Sequence, residues 1–125
     1  MVSGLIALVV GASAEEFAHV EQCLSDWQCV NAPLDDDEET AVSPIPAGAR
    51  LMIVYARKDQ KSTLAICEQL RNAPECSAVP ILLVIGQYEI TQAIEVKRLG
   101  EATFIIKSFG EKSLRDKIAE LLASS

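Results

Sequence analysis

Four stretches of the chain are continuously apolar and three to six residues long: Leu5 to Val10, Leu51 to Tyr55, Ile81 to Ile85 and Phe104 to Ile106. Runs this short, apolar throughout and rich in β-branched residues, are what parallel strands buried on both faces require. A fifth, shorter strand is expected around Cys29 to Asn31. The segments between them switch to helical spacing. Ser13 followed by Glu16 reads as a capping box, and Phe17, Val20, Cys23, Leu24 and Trp27 then share one helical face. Ser62 caps a second pattern carrying Leu64, Ile66, Cys67 and Leu70. Ile90, Ala93, Ile94 and Lys97 recur at helical spacing before the stop signal Gly100. Ser113, Leu114, Ile118, Leu121 and Leu122 form the stripe of a closing helix. Strands alternating with helices through short connections predict an α/β, flavodoxin-like, doubly wound five-stranded parallel sheet in a single domain, 1–125.

Residues 32–49 break this rhythm. Pro33, Pro44 and Pro46 exclude a long helix there, though a turn or two over Asp36 to Val42 is compatible with the sequence. Charge changes the picture in the same region. Residues 1–50 hold nine acids and one base, whereas residues 51–125 hold nine acids and ten bases, giving the whole chain −7. That balance argues against nucleic-acid binding. The acid run 35–39 reads most simply as solvated surface, with a cation site or a docking patch for a basic partner as the alternatives. Half the residues are apolar, yet no run approaches membrane-spanning length, so no membrane partner is expected. The start, MVSGLIALVV, lacks a basic n-region and reads as the first strand rather than a signal peptide. Cys23, Cys29, Cys67 and Cys76 form no C-x-x-C pair, and the single His19 has no ligand-like neighbours, so no metal site is expected. Cys23 and Cys67 occupy apolar helix positions as buried thiols, and reduced cysteines fit a cytoplasmic location.

From Pro80 to Leu122 the chain resembles the second half of a response-regulator receiver domain. The pattern Ala93-Ile94-Glu95, then Gly100, then Phe104-Ile105-Ile106-Lys107-Ser108-Phe109 carries the likeness. The preceding strands and helices extend it over the full chain, most weakly between residues 30 and 50. The second helix of a receiver would fall there, and is expected to be short or replaced by a loop.

The resemblance also implies a site. In this fold, ligands bind beyond the carboxyl ends of the strands, at the switch in strand order. A receiver places an acidic pair after the first strand and an aspartate at the end of the third; together they hold Mg²⁺, and the aspartate accepts the phosphoryl group. A Ser or Thr ends the fourth strand and a Lys ends the fifth. Here the acidic pair falls on Gly11 and Ala12, the acceptor on Tyr55 and the hydroxyl position on Ile85; only Lys107 matches. No acid lies between Leu5 and Ala14 or between Leu51 and Ala56, so shifting the register supplies none. The resemblance is therefore to a pseudo-receiver lacking the phosphorylation site, with no cofactor. Lys107 is expected to contact an anion or carbonyl, or to be a surface lysine bonded to a loop carbonyl. Tyr55 is expected to plug the pocket, with a tyrosine phosphosite as the other reading. The family's switch aromatic falls on Phe104, which has no hydroxyl and is expected to pack in one arrangement with Ile85.

Three function classes follow. The first is a non-catalytic, phosphorylation-independent signalling module of two-component type, binding a protein partner or a second copy of itself. The resemblance places its contact face on the fourth helix, fifth strand and fifth helix, with Gln92, Glu95, Val96, Lys97, Phe104, Lys112, Arg115 and Lys117. Charge reversal at Lys97 and Arg115 is expected to weaken association while leaving the fold intact. The second is a small-ligand or anion sensor using the vacated pocket, where Gly11, Ala12, Ser13 and Gly86 allow close backbone approach. The third, an enzyme, is not expected, because the chain offers no nucleophile–base pair.

Overall fold

A computed structural model describes residues 6–32, 49–56, 67–70, 72, 79–86, 94, 98, 102–107 and 109–124. Five parallel strands, β1 (Ile6–Val10), β2 (Gln28–Ala32), β3 (Leu51–Tyr55), β4 (Ile81–Ile85) and β5 (Ala102–Ile106), form one sheet in the order β2-β1-β3-β4-β5. This is the doubly wound, flavodoxin-like arrangement that the alternation of patterns predicts. The chain reverses direction across the sheet beside β1, so the β1/β3 ends form the switch-point crevice.

Burial explains the composition of the strands. All residues of β3 and β4 are buried, as are Ala7 to Val10 of β1. Alternate residues face opposite layers. One layer joins Ala7, Val9, Ile53, Tyr55, Leu82, Val84 and Ile105 to Val20, Cys23 and Leu24 and to Leu114, Ile118 and Leu121. The other joins Leu8, Val10, Met52, Val54, Leu83 and Ile85 to Cys67 and Leu70. A strand covered on both sides has no face to give to polar residues, so continuous apolarity is the necessary sequence.

The first helix (Ala14–Cys23) begins as predicted: Ser13 Oγ accepts the Glu16 amide at 3.1 Å, and Glu16 Oε1 accepts the Ser13 amide at 2.8 Å. It stops earlier than its apolar stripe suggested. Leu24 and Trp27 lie in the turn beyond it, where the Trp27 amide donates to the Leu24 carbonyl at 2.9 Å and brings the chain into β2. Strand β5 starts two residues before the apolar run, because Ala102 and Thr103 continue the ladder opposite Ile81 and Leu82. The closing helix (Glu111–Ser124) buries Leu114, Ile118 and Leu121 but leaves Ser113 exposed, so Ser113 does not belong to its core stripe. Residues 67–70 are helical, consistent with the pattern after Ser62. Ile94 is also helical, but it is 51% exposed and is not core. The irregular stretch 33–48, where a short or absent second helix is expected, lies outside the described residues, as does Cys76. Cys23, Cys29 and Cys67 are free thiols, Cys23 and Cys67 buried as expected.

A charge pair joins the closing helix to the turn that follows the first helix. Arg115 Nη2 donates to Asp26 Oδ1 at 2.7 Å, and Arg115 Nε to Glu111 Oε2 at 3.2 Å. The guanidinium thus holds the closing helix to the turn that follows the first helix while its side chain stays 36% exposed. Reversing its charge would break two intramolecular bridges, so that variant does not isolate a binding effect.

Leu83→Ala, in a strand buried on both faces, is expected to cost about 2–5 kcal/mol by denaturant unfolding. Ile106→Ala, at a side chain 40% exposed on the edge strand, is expected to cost less than about 1 kcal/mol. The hydrogen bond from Arg115 holds the Asp26 carboxyl below its ordinary value. A depressed carboxylate contributes stability above its unfolded pKa and loses it as pH falls through the folded value. Asp26→Asn should therefore lower Tm at pH 7, with the gap to the parent closing below about pH 4. A gap that persists unchanged into strong acid would assign the loss to something other than this ion pair.

Candidate functional site

The carboxyl ends of β1, β3, β4 and β5 meet at one side of the sheet, and the hydrogen-bond ladder carries their register past the last strand residues. The Ala56 amide donates to the Val84 carbonyl at 2.9 Å, and the Lys107 amide to the Ile85 carbonyl at 2.7 Å. The crevice positions are therefore fixed by the backbone. Gly11 leaves β1 with φ 77°, a left-handed conformation costly to other residues, which turns the chain directly into the cap of the first helix. Ala12 beside it is buried.

Tyr55 ends β3 with 4% of its surface exposed, and it packs in the layer shared with the first and closing helices. Burial pushes its hydroxyl well above the ordinary tyrosine value, with the nearby Glu16 carboxylate and Cys23 adding to the rise. The side chain at the position that the receiver resemblance gives to the acceptor is thus enclosed in a core layer. Ile85 is fully buried, in the opposite layer. Phe104 packs against that same layer while remaining partly exposed.

Mg²⁺ in a receiver requires hard oxygen ligands, several of them carboxylates. Gly11, Ala12 and Tyr55 supply no carboxylate at the strand ends, so these residues do not fit the ion. Among the described residues, no three His, Cys, Asp or Glu side chains gather as a metal-binding group.

Lys107 has a partner that sequence reasoning missed. Its Nζ lies 3.8 Å from Glu16 Oε2, the carboxylate oxygen left over after Oε1 closes the capping box. The lysine thus faces an acid from the first turn of the first helix. The signal was present in the sequence as the Ser13/Glu16 box. Only the fold shows that this turn sits across the crevice from the end of β5. Beside the pair, His19 stacks on Phe109 with ring centroids 5.1 Å apart and an interplanar angle of 26°.

The rest of the expected contact face divides. Gln92, Glu95, Val96 and Lys97 lie outside the described residues. Lys112 is exposed and paired along its own helix with Asp116 at 3.1 Å. Arg115 is tied to the turn after the first helix, as above. Lys117 lines a groove of about 600 Å³ along β5 and the closing helix, together with Phe104, Ile106, Lys107, Phe109 and Ser113. β5 is an edge strand, paired to β4 alone, so this groove runs along the border of the sheet. Burial raises the Cys23 thiol, and burial with the Glu21 charge pushes Cys29 up to about 11, which keeps both in the unreactive thiol form.

No protein-family model and no curated protein matches the sequence. Solved structures do match in three dimensions. A response regulator from Thermotoga maritima aligns with a TM-score of 0.72 at 16% identity, over 95% of this chain and 98% of that one. Chemotaxis protein CheY4 of Vibrio cholerae gives 0.73 at 17% identity, over 94% and 98%. NtrX from Brucella abortus gives 0.72 at 20% identity, over 95% of this chain but 26% of that longer protein. Likeness at these identities is a likeness of fold: the chain has the CheY-like, flavodoxin-like architecture of response-regulator receivers.

Proposed function

We propose that the chain is a signalling module of receiver fold that works without phosphoryl transfer and acts by protein contact. The observation that carries this reading is the set of strand ends. Gly11, Ala12, Tyr55 and Ile85 stand where phosphoryl chemistry needs two acids, a nucleophilic aspartate and a hydroxyl, and Lys107 already has an internal counter-ion in Glu16. The response-regulator identity of the structural neighbours supports the signalling class. The raised cysteine thiols and the absence of a nucleophile–base pair among the described residues favour a non-enzymatic role.

The contact surface best supported is the border formed by β5 and the closing helix. Both large apolar side chains that are exposed among the described residues, Ile94 and Ile106, fall within the stretch 92–117 where we place the contact face by resemblance to receivers. Isolated exposed apolar residues are common. Ile106 instead lies in a groove with Phe104, Phe109 and Lys117, the mixture of aromatic and charged groups that suits a protein interface. The anion-sensor reading loses its main support, since the Glu16 carboxylate already occupies the cap of the first helix and faces Lys107.

Two measurements test these claims. Incubation with acetyl phosphate and Mg²⁺, followed by intact-mass analysis, should give no phosphoryl adduct; an acid-stable or acid-labile adduct at any residue would overturn phosphorylation independence. The double variant Ile106→Asp/Lys117→Glu should keep the parent's Tm within a few degrees. It should also lose at least about tenfold in affinity for a captured partner, or in self-association measured by sedimentation. Equal binding by parent and variant would remove this surface from consideration.

A further inference from the structure

Two contacts join one face of the first helix to the segment that follows β5. Glu16 reaches Lys107 at 3.8 Å, and His19 stacks on Phe109 at 5.1 Å. Glu16 and His19 are three residues apart, so both project from the same side of that helix. Lys107 and Phe109 also form part of the groove wall, beside Phe104 and Ile106. The same two side chains thus border the first helix on one side and the groove on the other.

Each half of this arrangement is anchored independently. The Ser13 amide holds Glu16 Oε1 at 2.8 Å, which orients the carboxylate before Lys107 arrives. The Lys107 amide is fixed on the Ile85 carbonyl at 2.7 Å, which places the lysine stem beside β4. A half-exposed ion pair is weak by itself, and so is one ring stack. Two contacts on one short segment share the entropic cost of ordering it, so together they hold it better than either alone.

We propose that Glu16 and His19 act as a latch on Lys107 and Phe109, and that the latch sets the shape of the groove along β5. The device links the crevice at the strand ends to the border of the sheet. It is closed by a carboxylate of the chain itself, so it needs no ligand, and an anion approaching Lys107 has to displace Glu16 to open it. It operates whichever molecule occupies the groove.

The test is amide exchange and methyl NMR on the whole chain. The Lys107 amide and the Leu114 amide, which donates to the Gly110 carbonyl at 3.0 Å, flank the latch. In Glu16→Gln/His19→Ala both should exchange about tenfold faster, and the Ile106 methyl resonance should move, while the Val9 and Ile53 amides stay at parent rates. Ser13→Ala removes the capping hydroxyl but neither latch partner, and should leave Ile106 unmoved. Parent-like exchange at Lys107 and Leu114, or an Ile106 shift as large in Ser13→Ala, overturns the latch. If the double variant fails to fold, Glu16→Gln alone, which keeps the side chain's shape, must still raise Leu114 exchange several-fold; a parent rate there overturns it equally.

Discussion

Burial of the central strands on both faces is the constraint from which the rest follows. With β1, β3 and β4 closed off above and below, polar chemistry has no place along them and is confined to their ends. In this chain apolarity continues to those ends. Tyr55 and Ile85 belong to the two packed layers rather than to a solvated crevice, one on each side of the sheet. At these two strand ends the side chains belong to the core, so stability and any polar chemistry there compete for the same positions.

Charge then decides how the layers are held at their edges. The first fifty residues are strongly acidic, whereas the remainder is nearly balanced. Two of the early acids, Glu16 and Asp26, flank the first helix, and their basic partners Lys107 and Arg115 both come from the end of the chain. From Glu16 and His19 in the first helix to Asp26 in the turn beyond it, the partners progress from Lys107 through Phe109 to Arg115. The two segments therefore run side by side in the same direction, as helices that each follow a strand of one parallel sheet do. Exposed pairs of this kind contribute little stability each. Their consequence is positional: they fix the closing segment against the first helix and leave its other side, with Lys117, turned to the groove.

The sheet was legible because its signal is redundant. Every residue of β3 and β4 reports the same environment, so the two runs could be bounded correctly from composition alone. Edges carried less information. β5 is half covered, and its first two residues, Ala102 and Thr103, look like neither core nor loop until the ladder to β4 is seen. Long charged side chains were the least legible. Helical periodicity told that Arg115 lies off the buried stripe, but not whether it leans toward solvent or toward the neighbouring helix, because that depends on a residue 89 positions away. Glu16 failed for a different reason. A capping box accounts fully for one carboxylate oxygen, and nothing local indicates that the second has work elsewhere.

Lys107 shows why one matching residue in a site is weak evidence of its chemistry. A lysine at the end of an edge strand attracts a counter-charge whether or not phosphate ever binds, although with its side chain 46% exposed water also solvates it and the pairing is weak. In a phosphorylating site the acids of the pocket and the phosphoryl group supply that charge. In this chain Glu16 supplies it from the opposite wall, and the lysine is explained without reference to phosphate. The informative quantity is the whole set of strand-end residues together with the charges that face them. One glycine, one alanine, a buried tyrosine and a buried isoleucine around an internally paired lysine describe a crevice whose electrostatics are already settled within the chain.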